Sequence, residues 1–146
     1  MTRGTPYLNR KNYNDWKTPD SFYKTLDKEF NFDFDPCPIN AQFDGLEIEW
    51  GERNFVNPPY GKKLKNAFVK KAITESLKGK LSVLLLPVST SSVLFHQYIK
   101  PNASEIRFVQ GRIKFEGVDK DGNVRKVDNR GAMHDSMLVI IKGKEQ

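Results

Sequence analysis

The sequence predicts an α/β fold in three layers, a mostly parallel sheet between helices with an antiparallel finish. Three observations predict it. Leu81 to Leu86 is a run that is apolar but for Ser82, bounded by Gly79 and Pro87, the mark of a strand buried on both faces. Strand-like and helix-like segments alternate from Thr18 to Val109. The 146 residues, 38% of them hydrophobic, are enough for one sizeable core and too few for two.

The elements follow in order. Residues 1–13 read as a flexible segment and 14–146 as a single domain. Thr18 as N-cap, Pro19 in the first helical position and Asp20 in the first turn start a helix over about 19–29 that carries Phe22, Tyr23, Leu26 and Phe30. Phe32-Asp33-Phe34-Asp35 alternates like a short strand, stopped by Pro36 and Pro38. Asn54-Phe55-Val56 is another strand, ending at Asn57-Pro58-Pro59-Tyr60-Gly61. Leu64, Ala67, Phe68, Ala72 and Ile73 then make one stripe of a helix that closes near Gly79. After the central strand, Ser91 or Ser92 caps a helix carrying Leu94, Phe95, Tyr98 and Ile99 that ends at Pro101. Glu105 to Val109, Ile113 with Phe115, and Met137 to Ile141 are the remaining strands, around a charged excursion from about 116 to 135.

Composition narrows the chemistry. One cysteine, Cys37, excludes an internal disulfide framework, and with two histidines it cannot make a Cys/His zinc site, so no metal is expected. No apolar run reaches the ~18 residues of a membrane span, and residues 1–10 show no signal-like apolar stretch. A reducing cytoplasm is the expected location. The net charge of +6 favours a polyanionic partner. It is segregated: Asp27 to Glu49 carries −6 and Gly61 to Lys80 carries +6. The second stretch, with Lys62 and Lys63 at its start, is either a solvated helix face or a phosphate-attracting one.

In parallel sheets ligands bind beyond the carboxyl ends of strands, and two Pro-containing turns fall there, Asp35-Pro36-Cys37-Pro38 and Asn57-Pro58-Pro59-Tyr60. In the second, two prolines stiffen the backbone so that the Asn57 amide and the Pro58 carbonyl present acceptors, with an aromatic ring just beyond. That suits a planar substrate bearing an NH2 group. The alternative is a stiff surface turn in which Asn57 caps the next helix and Tyr60 packs on it.

Asn57-Pro58-Pro59-Tyr60 after a strand resembles the catalytic motif of amino-methyltransferases that use S-adenosylmethionine. Over about 14–141 the chain is similar to the small phage-type DNA adenine methyltransferases. The matches, in order, are Trp16-Lys17-Thr18-Pro19, Phe34-Asp35-Pro36-Cys37, Asp44-Gly45-Leu46, the tetrapeptide, Leu85-Leu86-Pro87, Ile106-Arg107-Phe108, Gly111-Arg112-Ile113-Lys114-Phe115 and Ser136-Met137-Leu138-Val139-Ile140. The resemblance implies a Rossmann-like methyltransferase fold and methyl transfer to the N6 amine of adenine in DNA. Asn57 and Pro58 would accept the amine hydrogens, Pro59 would stiffen the turn and Tyr60 would stack on the flipped base. Asp35 would be the acidic residue that meets S-adenosylmethionine, the backbone of Pro36 and Cys37 would shape the pocket, and Asp44, ahead of Glu47 or Glu49, would take the ribose. Trp16 either lines the pocket or covers the core.

The family pattern is incomplete. The Asp35 turn has no glycine, and about eighteen residues between the two motif strands leave no room for a further helix-strand-helix-strand insertion, so a reduced sheet is expected. His96 reads as structural, and His134-Asp135 is not needed by methyl transfer. Lys62, Lys63, Arg112, Lys114, Lys120, Arg125, Lys126 and Arg130 are the candidate DNA contacts, the last six on an excursion of net +2 over 111–131 that reads as a DNA-contact hairpin, with a solvated loop as the alternative. An RNA base or a protein glutamine offers the same planar amine, and an inactive DNA-binding relative would keep the same fold.

Overall fold

The structure is a computed structural model that describes residues 15–39, 41–59, 61–118, 124–126 and 134–144, with backbone alone at 15–16, 117–118 and 124–126. In chain order its elements are β1 (Asp15–Lys17), α1 (Asp20–Phe30), β2 (Arg53–Val56), α2 (Lys62–Ser76), β3 (Leu81–Pro87), α3, β4 (Glu105–Phe108), β5 (Glu116–Val118), β6 (Val124–Lys126) and β7 (Ser136–Ile141). Helix α3 is a π-helix over Leu94–Ile99 that continues as α-helix over Lys100–Asn102.

The protein is a mixed α/β structure with a four-stranded sheet ordered β2-β3-β7-β4. Strands β2 and β3 pair in parallel, Arg53 beside Leu81 and Val56 beside Leu84. The last strand, β7, enters between β3 and β4 and runs antiparallel to both. The sheet is therefore not mostly parallel in its pairing: β2, β3 and β4 share a direction, yet two of the three ladders are antiparallel. Central position explains why β3 and β7 are so uniformly apolar: their pleats feed both faces.

Alternate residues sort to opposite faces. Leu84, Leu86, Met137, Val139 and Ile141 pack with Phe68, Val69 and Ala72 of α2 and with Leu94 and Ile99 of α3. Val83, Leu85, Leu138 and Ile140 pack with Leu26 and Phe30 of α1. Helices thus cover both faces. Leu64, expected in the α2 stripe, is exposed.

Several local expectations are corrected. The Phe32–Asp35 segment forms no strand; Phe34 alone makes a parallel bridge to Asn54. Asp33 and Asp35 turn their carboxylates onto backbone N–H groups of Arg53 and Cys37, and Pro36 has no N–H to give, so a ladder cannot propagate. Between Phe34 and β2 the described residues contain no helix or strand, as the short spacing requires. Ile113 and Phe115 form no strand either; Ile113 is buried against the α1 side of the core and the strand begins at Glu116. Helix α3 runs through Pro101 to Asn102. The π-turn before it, in which Lys100 N–H donates to Phe95 O five residues back, displaces the carbonyl ladder with which a proline ring would otherwise collide. The N-cap of this helix is Val93, without a side-chain bond, and Ser92 stands one residue before it with its Oγ accepting from Phe95 N–H at 3.1 Å.

A second sheet, ordered β1-β5-β6, was not visible in the sequence. Strand β5 pairs antiparallel with both neighbours, Lys17 opposite Glu116 and Glu116 opposite Lys126. Strands β5 and β6 of the charged excursion therefore pair as a hairpin, and its first strand is stitched to β1. None of the helices is long and apolar enough to cross a membrane, and no group of three or more potential metal-ligating side chains occurs among the described residues.

Candidate functional site

Two turns leave the sheet side by side. The Phe34–Asn54 bridge is parallel, with Phe55 N–H donating to Phe34 O at 3.0 Å, so Asp35-Pro36-Cys37 and Asn57-Pro58-Pro59 depart from the same end of adjacent chain segments. In the first turn Asp35 Oδ1 accepts from Cys37 N–H at 2.8 Å, which folds the chain back over a buried Pro36.

The Asp44 loop lies on this turn. A Cβ built on Gly45 would stand 2.0 Å from the Pro36 carbonyl oxygen and 3.1 Å from the Phe68 ring, so only glycine allows the approach. Asp44 Oδ1 accepts from Leu46 N–H at 2.9 Å, an Asx turn that shapes the loop. Glu47 and Glu49 are exposed beside it. Phe43 stacks on Phe34 with ring centroids 5.8 Å apart, an aromatic surface next to Asp35 that the sequence reading missed.

Trp50 holds the loop down. Its Nε1 donates to Gly45 O at 2.7 Å, its N–H donates to Glu75 Oε1 at 3.0 Å, and its carbonyl accepts from Lys80 Nζ at 2.6 Å. The fully buried Glu75 also pairs with Lys71, Lys78 and Lys80. Burial by itself would raise its pKa, but the Trp50 N–H and the three ammonium groups hold the carboxyl at about 2. A single acid inside a run of seven lysines was the available signal.

Asn57 follows β2 directly and is half-buried. Its Nδ2 donates to Thr18 Oγ1 at 3.0 Å, across 39 positions of sequence. Its Oδ1 has no hydrogen-bond partner among the described residues. Asn57 does not cap α2, whose N-cap is Gly61 at φ 112° with no side-chain bond. Thr18 is likewise not the cap of α1: Pro19 occupies that position without a side-chain bond, and the Thr18 hydroxyl is turned to Asn57 instead. Tyr60 lies outside the described residues.

Lys62 and Lys63 are exposed in the first turn of α2, which contains no acid. Two cations at a helix N-terminus oppose the macrodipole, a local cost that an anionic partner would relieve. Burial, with Lys62 beside it, pushes the Lys65 ammonium below its usual pKa. Arg112 Nε stands 3.4 Å from Asp135 Oδ1, tying the two stems of the excursion, and Lys114 is exposed. Arg125 and Lys126 belong to β6 by their backbone; Lys120 and Arg130 lie outside the described residues, as does the side chain of Trp16. Exposed His96 meets the Thr90 carbonyl through Nε2 at 2.6 Å, and His134 is exposed.

The structure thus brings the Asp35 turn, the Asp44 loop, Asn57 and Thr18 to one end of the sheet, with Lys62 and Lys63 just beyond. A comparison with curated proteins finds no match. The family model described as DNA N-6-adenine-methyltransferase (Dam) matches residues 7–146, nearly the whole chain. On that match the chain belongs to the Dam family of DNA N-6-adenine-methyltransferases.

Proposed function

We propose that this protein transfers a methyl group from S-adenosylmethionine to the exocyclic N6 amine of adenine in DNA. The observation that carries the reading is the Asn57 amide, anchored through Nδ2 and with Oδ1 left to accept. The exocyclic amine of adenine is a poor nucleophile because its lone pair is delocalised into the ring. Two acceptors, Asn57 Oδ1 and the Pro58 carbonyl, would draw its hydrogens and favour a pyramidal nitrogen. Prolines at 58 and 59 hold that carbonyl in a stiff turn, so the acceptors need no reorganisation as the amine changes shape. Such a nitrogen would attack the sulfonium methyl in line, the methyl–sulfur bond breaking to release a thioether and the surplus amine proton passing to solvent; no covalent bond to Cys37 is required. Tyr60 would stack on the base.

S-adenosylmethionine supplies an electrophilic methyl group on a sulfonium. The residues of the Asp35 turn and the Asp44 loop fit such a group: Asp35 and Asp44 are carboxylates suited to hydroxyl, ammonium and sulfonium partners, and the Phe34–Phe43 stack offers an apolar aromatic surface. Helices on both faces of the sheet, and the adjacent Phe34 and β2 segments with no helix or strand among the described residues between them, support a reduced, three-layered Rossmann-like fold in one domain. Phosphates would meet Lys62, Lys63 and the β5-β6 hairpin. An intracellular site of action follows from a DNA substrate.

The test is transfer of labelled methyl groups to DNA, RNA and glutamine-containing protein by the wild type and Asn57→Ala. DNA labelled at adenine N6 is expected, abolished in the variant while S-adenosylmethionine binding stays within a few-fold. Labelling of RNA or protein in place of DNA overturns the substrate, and unchanged turnover in the variant removes Asn57 from the chemistry.

A further inference from the structure

The hydrogen bond between Asn57 and Thr18 joins a catalytic turn to a residue outside it. An amide has two unlike ends, an acceptor and a donor, that exchange places on a half-turn about the last side-chain torsion. With Asn57 reversed, its NH2 would face the amine of the substrate, donor against donor. The backbone of the turn is stiffened by Pro58 and Pro59, so that torsion is the freedom left to be fixed.

Thr18 is placed to hold the amide at one end: its hydroxyl accepts from Nδ2, and although a hydroxyl could also donate to a reversed amide, only the orientation found leaves Oδ1 for the amine of the base. Its hydroxyl lies 3.0 Å from Asn57 Nδ2 and the residue is only 9% exposed, so water competes weakly for the bond. Thr18 is itself held from both sides. The preceding strand pairs Lys17 with Glu116, and the following Pro19 carbonyl accepts from Tyr23 N–H at 3.0 Å in the first turn of α1. The hydroxyl is not spent on capping that helix.

We infer that Thr18 is a positioning residue for methyl transfer: its hydroxyl anchors the Asn57 side chain so that Oδ1 is presented to the amine of the base. This rests on the reaction proposed above. In this role Thr18 acts through Asn57. Its contribution lies in the orientation of a neighbour, where a misplacement of about 1 Å costs on the order of a hundredfold in rate.

Thr18→Val keeps the shape and removes the hydroxyl; Thr18→Ser keeps the hydroxyl. With the full-length protein, Thr18→Val is expected to lower kcat by about ten- to a hundredfold while affinity for S-adenosylmethionine stays within a few-fold, and Thr18→Ser to recover most of the rate. A Thr18→Val enzyme with wild-type kcat overturns the inference, as does a Ser variant no faster than Val. The Asn57 side-chain NH2 resonances in nitrogen-15 spectra give a readout independent of turnover. They should move in the Val variant and stay in the Ser variant; unmoved signals in Val also overturn the inference. A wild-type protein that methylates nothing would instead defeat the proposed reaction, while the same resonances still decide whether Thr18 holds Asn57.

Discussion

Gly45 lies against the carbonyl oxygen of Pro36 so closely that a single added carbon would come within 2.0 Å of it. The atom it would meet is backbone, which cannot swing aside as a side chain can. Gly45→Ala must therefore push the Asp44 loop off the Asp35 turn. We expect a loss of stability of about 1–3 kcal/mol, the range for overpacking, and a larger proportional loss of S-adenosylmethionine affinity, read by calorimetry. Wild-type affinity in this variant would show that the Asp44 loop is not part of the cofactor pocket.

Asp35 does two things that substitution can separate. Asn at this position still accepts from Cys37 N–H and preserves the turn, but carries no charge. Asp35→Asn is expected to keep the wild-type unfolding midpoint and to weaken S-adenosylmethionine binding by roughly ten- to a hundredfold, as for loss of a charge-assisted hydrogen bond. Asp35→Ala should lose both. Equal cofactor affinity in all three proteins would move the cofactor elsewhere.

Glu75 gives the fold an acid-sensitive anchor. Its folded pKa of about 2 lies below the ordinary value of 4.5, so the folded state binds the proton less readily than the unfolded chain. The stabilisation is complete above the ordinary value and is lost as pH falls from about 5 to 2. Glu75→Gln should cost on the order of 3 kcal/mol at pH 7, because Lys80 is left buried beside a neutral group, and the gap to wild type should close by about pH 2. Denaturant titrations across that range measure it. A gap independent of pH would mean that the charge on Glu75 is not what matters.

A phosphate-contacting surface predicts a salt slope. Each phosphate contact on duplex DNA adds ~0.9 to the dependence of log K on log salt. Replacing Lys62 and Lys63 by Ser should flatten the slope by up to about 2 units, and replacing Lys120, Arg125, Lys126 and Arg130 by up to about 4, with little change in sequence preference. Fluorescence anisotropy with labelled duplexes at several salt concentrations reads both. An unchanged slope in either variant places the DNA on another face.

What was legible in the sequence had strong local causes. The apolar runs of β3 and β7 announce buried strands, and helical spacing from Phe22 to Phe30 announces α1, because each pattern reports burial of the residue that carries it. The Asn57 and Asp35 turns were legible because prolines mark where an extended segment must stop. The small sheet was not. Asp15-Trp16-Lys17 and Glu116-Gly117-Val118 show no useful alternation, and their pairing joins segments about a hundred positions apart. Ile113 was misread because an apolar residue can plug a core without joining a ladder. Thr18 was hidden by a sufficient local explanation: a threonine before Pro-Asp looks like a cap, and nothing nearby in the chain reveals that its hydroxyl is turned to residue 57. Glu75 was hidden the same way, as one charge in a run that otherwise reads as solvated.

The place of β7 bears on how the protein comes into being. On the ribosome, β2 and β3 emerge as neighbours able to pair, whereas β4 emerges with nothing to hold it, since its ladder is with β7 alone. The main sheet cannot close until the segment after Asp135 has left the exit tunnel. Until then β3 exposes one apolar edge, and a nascent chain halted before that point would present an unpaired strand to its surroundings. Synthesis and folding of this sheet are therefore coupled at its last strand, and premature stops upstream of β7 should yield aggregates or degradation products in place of a shortened enzyme.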